Sequence, residues 1–177
     1  MLRRTSLPSV LAVVVVATLG LGGCVAPEPA ATPPPKEHAK RVFASDEALA
    51  AAEAAYGEYM AMTEEIMHDG GADPERLEGL VSADLLEFEV AGYVAMREKG
   101  WRGIGTVPFE LTLQSFDESR LIVYACDDVS GVQVVDGTGA SVVSPNGQSR
   151  YAFEVEFDVT DSLRMTRKDL WSGGGVC

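Results

Sequence analysis

Residues 151–159 read YAFEVEFDV. Tyr151, Phe153, Val155, Phe157 and Val159 fall on one parity, and Glu154, Glu156 and Asp158 on the other. A strict period of two puts one face of a strand on a core and the other in water. A one-residue slip would bury the carboxylates, so this stretch fixes its own register. Leu163 to Trp171, read as the last strand, supplies a partner. With Thr160-Asp161-Ser162 as a three-residue loop, Asp158 meets Arg164, Glu154 meets Lys168 and Phe157 faces Met165. Val107 to Phe116 alternates in the same way, with Phe109, Leu111 and Leu113 inward. LIVYACD (121–127) is apolar at both parities, which predicts a central strand covered on both faces and continuing through Gly131 into VQVVD.

Residues 45–99 follow a different period. Leu49, Ala52, Tyr56, Tyr59/Met60, Thr63 and Ile66/Met67 recur at helical spacing behind Ser45, read as an N-cap with Asp46 and Glu47 in the first turn. Gly70 is placed to stop this helix in the left-handed conformation. Asp73-Pro74-Glu75 starts a short second helix, cap then proline then acid, which ends near Gly79. Ser82 caps a third, with Leu85/Leu86, Val90 and Tyr93/Val94 on one face, closed at Lys99-Gly100. Three helices followed by an antiparallel sheet make an α+β domain.

The first forty residues belong to neither pattern. Arg3 and Arg4 precede an apolar run from Val10 to Leu21, too short to cross about 30 Å of hydrocarbon as a helix. Small residues and Cys24 follow. Leu21-Gly22-Gly23-Cys24 resembles the lipobox of bacterial lipoproteins. The resemblance implies a signal peptide (1–23), cleavage before Cys24, and acylation of its thiol. Two acyl chains at about 0.8 kcal/mol per buried CH₂ then anchor the chain to the outer face of the cytoplasmic membrane. The alternative is an uncleaved N-terminal membrane helix. Residues 24–40 carry five prolines before Lys36, a composition that favours an extended, semi-rigid tether. His38 sits within it and reads as a solvated linker residue. The domain proper is expected over 41–177.

Removal of residues 1–23 leaves 12 basic and 27 acidic residues, a formal charge of −15. Such a chain is a poor partner for nucleic acid, whose phosphates demand cations. Attachment to the membrane is therefore expected through lipidated Cys24, with an envelope protein or a small ligand as further partner. With Cys24 committed to lipid, Cys126 and Cys177 remain in a compartment where thiols oxidise, and are expected to pair. The WSGGGVC tail is flexible enough to bend back onto the sheet. Two free thiols are the alternative.

The order of elements in 45–99 and 107–171 resembles the NTF2-like cone fold, three helices against a curved antiparallel sheet. DGGADPERL, GWRGIGT, YACDDVSG and LWSGGGVC are together similar to a group of small actinobacterial lipoproteins. The cone resemblance implies a pocket between sheet and first helix. Tyr56, Tyr59, Tyr93 and Trp101 are the candidates for its mouth, and Asp127 for its interior. Each tyrosine is as readily a core residue with its hydroxyl at the surface. Asp127 or Asp128 acting as an acid or base would make a small lyase or isomerase; a strand end capping Ser130-Gly131 is the plainer reading. His68, in the last turn of the first helix, suits the helix dipole. No nucleophile–base pair, phosphate loop or metal-ligand spacing appears, so no cofactor or metal is expected. These features together predict a non-catalytic binding or accessory domain.

Overall fold

In the computed structural model, which describes residues 44–144, 147–160 and 162–177, the chain opens with α1, Ser45–His68. The expected signal segment (1–23) and tether (24–40), with Cys24 and His38, lie outside the described residues. Ala44, rather than Ser45, is the N-cap, and its N–H donates to the Glu47 carboxylate at 3.1 Å. Ala48, Ala52, Tyr56, Tyr59, Met60, Thr63 and Ile66 make the buried stripe.

The helix ends in a Schellman arrangement. Gly71 N–H bonds Ile66 O, and Gly70 N–H bonds Met67 O, with φ of +80° and +69°. A Cβ on Gly71 would stand 2.4 Å from the Tyr93 carbonyl oxygen. At Gly100, which follows the helix capped by Ser82 and has φ +65°, it would meet nothing within 4 Å. Gly71→Ala is therefore expected to cost at least about 2 kcal/mol, strain plus collision, against about 1 for Gly100→Ala. Urea melts compare the two, and equal losses would contradict the contact.

The three expected helices are two. Asp73-Pro74 does start a turn, but Pro74–Leu77 is a single 3₁₀ turn that buries Pro74 and Leu77. Gly79, at φ +90°, follows too soon for an α-helix to propagate. The second α-helix is α2, Ala83–Glu98, where Ser82 Oγ accepts the Leu85 N–H. The three-helix cone is thus corrected to two helices with two antiparallel sheets, still α+β in overall class.

Six strands follow: β1 Arg102–Ile104, β2 Phe109–Phe116, β3 Arg120–Asp128, β4 Gln133–Val135, β5 Arg150–Asp158 and β6 Arg164–Leu170. The main sheet runs β2-β3-β5-β6; β1 and β4 pair separately. β3 does not continue into 132–136 as expected. Asp128 Oδ1 accepts the Ser130 N–H and turns the chain there. β3 is central, between β2 and β5, and its cover is complete on one face and partial on the other: Leu121, Val123 and Ala125 are fully buried towards the core, whereas on the outer face Cys126 is buried and Ile122 and Tyr124 are half-buried.

The β5–β6 register follows the expectation at one end only. Asp158 pairs with Arg164 and Phe157 with Met165, but a bulge then shifts the ladder, so that Arg167 opposes Glu156 and Lys168 opposes Val155. The expected Glu154–Lys168 pair does not form. Arg167 takes that place, 2.7 Å from Glu154 and 3.2 Å from Glu156. Lys168 is turned to the core side.

Candidate functional site

Two places combine chemistry with a defined shape. The first lies between α1 and the sheet. Leu121, Val123, Ala125 and Asp127 share the inward parity of β3, so the last of them carries a carboxylate into the core, 3% exposed. Burying it alone would cost several kcal/mol. The Tyr56 hydroxyl donates to it, 2.9 Å from each carboxylate oxygen, and the Lys168 ammonium stands 2.9 Å from Oδ2. Lys168 is in turn ringed by aromatics: its Nζ is 4.4 Å from the centroid of Phe153, 5.1 Å from that of Tyr56 and 5.3 Å from that of Tyr59. The ring of Phe109 packs edge-on against Tyr56, 4.9 Å between centroids. Burial, and secondarily the Asp127 charge, pushes the Tyr56 phenol far above its ordinary value, so it remains a protonated donor. Burial likewise raises Tyr59, whose hydroxyl donates to Glu89 at 2.8 Å. This constellation is an ion pair held in an aromatic box, with Asp127 committed to Tyr56 and Lys168.

The second place is an open trough. The inward face of α2 (Leu85, Leu86 and Tyr93) rests against the core cluster only partly covered. Phe88 is 75% exposed. Phe88, Tyr93 and Met96 form one wall, Val134 and Val143 the other, and Trp101 one end. The volume is about 490 Å³, inside the roughly 300–1,000 Å³ range of ligand sites. Burial raises the Tyr93 phenol, with the Glu89 charge adding to the shift.

The sequence candidates therefore separate. Tyr56, Tyr59 and Asp127 meet in the core, whereas Tyr93 and Trp101 line the trough. Asp128 lies at the strand end, where hydrogen bonds from Ser130 hold its carboxyl below the usual range. The His68 ring sits 2.7 Å from the Gly105 carbonyl. Cys177 is bonded to Cys126, Cα atoms 5.3 Å apart, and Trp171 lies against Tyr124, 4.7 Å between ring centroids. Among the described residues no group of three or more His, Cys, Asp or Glu is placed to hold a metal ion, and no helix is long and apolar enough to cross a membrane.

No family model and no curated relative matches the chain. Among solved structures, the intermembrane space region of the chloroplast protein ARC6 superposes with a TM-score of 0.57 at 13% identity, over 75% of this chain and 99% of that one. Identity that low speaks for the fold alone. A de novo designed β-sheet protein aligns at a TM-score of 0.31 and 17% identity, over 73% of this chain and 92% of the design, too weakly to bear on either.

Phe88, Met96, Val143 and Lys168 were not among the sequence candidates. Phe88 had a readable signal: Phe88, Ala91/Gly92 and Met96 form a second stripe at helical spacing, beside the one that meets the core.

Proposed function

We propose that this chain is an extracytoplasmic lipoprotein, held on the outer face of the cytoplasmic membrane by acylated Cys24, whose domain binds an envelope protein through the trough along α2. The carrying observation is the trough itself: a large phenylalanine left in water above an apolar channel. Soluble domains seldom expose contiguous apolar surface without a use for it. Leu21-Gly22-Gly23-Cys24 supports the anchor, and the proline-rich 24–40 segment supports a domain standing up to roughly 45–50 Å from the bilayer at ~3.1 Å per residue. The committed state of Asp127 favours binding over acid–base chemistry.

Two measurements test the two halves. Cys24→Ser is expected to release the protein from the membrane fraction or leave an unprocessed precursor; unchanged retention of a mature-size band would remove the lipid. A photo-crosslinking residue at position 88 in living cells is expected to give a discrete adduct that the same residue at Gln114 does not. Identical patterns from both positions would count against the trough.

A further inference from the structure

None of the sixteen residues of α2 is buried, unusual for a helix with apolar residues on two sides. The stripe turned to the trough runs Phe88, Ala91/Gly92, Met96, about 12 Å along the axis at 1.5 Å per residue. Within this stripe the large side chains stand at the ends and small ones at the middle, with Tyr93 flanking it on the core side. A Cβ on Gly92 would meet nothing within 4 Å, so the backbone of α2 is open to close approach there. A trough with a helical wall and a small-residue centre has the form that receives another helix, ridge into groove.

Charge narrows the occupant. Residues 44–177 contain 25 acidic and 9 basic side chains, so a second copy brings like charge to the contact. Glu89 is the one charged residue lining the trough, beside Phe88. Lys99 stands at the other end, 4.4 Å from the Trp101 ring centroid. A cation on the occupant is therefore accepted at the Phe88–Glu89 end and repelled at the Trp101 end. The geometry points to an amphipathic helix of a partner protein, apolar at i, i+3/i+4 and i+7, with a lysine or arginine set against Glu89. This rests on the binding reading above and adds the chemistry of the partner.

The test uses the full chain carrying Cys24→Ser and fluorescein-labelled peptides of about 14 residues, four helical turns. One is a leucine–lysine amphipathic helix, one its leucine–glutamate counterpart, and one a scramble of the first with no apolar face. By anisotropy at physiological salt, the leucine–lysine helix is expected to bind saturably, one per chain. Phe88→Ala combined with Met96→Ala should weaken it about tenfold or more. Glu89→Gln, which keeps an acceptor for the Tyr59 hydroxyl, should weaken it severalfold and flatten its salt dependence. Unchanged melting of each variant shows that the fold is intact. Equal binding of the scramble, or undiminished binding to the double variant, would reduce the effect to bulk charge and overturn the proposal. So would tighter binding of the glutamate helix. A concentration-dependent dimer in sedimentation, abolished by Phe88→Ala, would make a second copy the occupant instead. Position-88 adducts in cells without peptide binding would leave the binding reading standing and remove this occupant alone.

Discussion

Lys168→Ala is expected to destabilise the domain by about 3–5 kcal/mol, the cost of leaving one member of a buried pair without the other. The Lys168 side chain is 14% exposed and that of Asp127 4%, so water can do little to replace the lost partner. Asp127→Ala should cost a similar amount for the converse reason, stranding an ammonium among Phe153, Tyr56 and Tyr59. The informative variant is the double replacement Asp127→Val with Lys168→Met. It removes both charges and keeps much of the apolar volume, so it should recover part of the loss, the remainder being the buried Tyr56 hydroxyl left without its acceptor. Tyr56→Phe should cost less, about 1–3 kcal/mol, because Asp127 keeps Lys168 and loses only the hydroxyl. Urea denaturation compares the four variants. Additive losses in the double variant, or a Lys168→Ala cost below about 1 kcal/mol, would mean that the pair behaves as a solvated surface contact.

Opening the Cys126–Cys177 bond is the second large effect. The bridge spans a sequence separation of 51 residues, for which the chain-entropy account gives about 4 kcal/mol. Reduction, or Cys177→Ser, should lower the melting temperature by roughly 10–20 °C for a domain of this size. The tail it holds is also a lid: Trp171 covers Tyr124, and its backbone N–H bonds the Ala152 carbonyl at 2.8 Å. Alkylation of the native protein without reductant should label neither thiol, and non-reducing peptide mapping should recover the two cysteines cross-linked. Two readily alkylated thiols would contradict the bridge.

Period two placed β2 and β5 correctly, because each has a wet face and a dry one and a slip would bury charge. Period 3.6 placed α1, although Ala48 rather than Leu49 proved to be its first buried residue. β6 was harder, and the reason is visible in RMTRKDL. With Met165 inward, strict alternation would carry Arg167 and Asp169 into the core. The bulge at Thr166 resolves that conflict, sending Arg167 to the outer acids and Lys168 to Asp127. Two charges at core parity were the signal. The Tyr56–Asp127 contact spans 71 residues, and nothing in the spacing of either residue names the other. The short helix failed for want of length: Pro74 and Gly79 mark its ends correctly but leave room for one turn. The trough was half legible. Tyr93 and Trp101 read from the sequence as aromatics near a mouth, but the wall formed by Val134, Val142 and Val143 depends on β4 leaving the main sheet at Ser130-Gly131.

Cys126 and Asp127 are neighbours in sequence, and the pleat of β3 sends them to opposite sides of the sheet. One peptide unit is thus common to the covalent clasp on the outside and the ionic clasp within. The two should therefore melt as a single cooperative block, with amide protons at 125–128 exchanging together and among the last in the molecule.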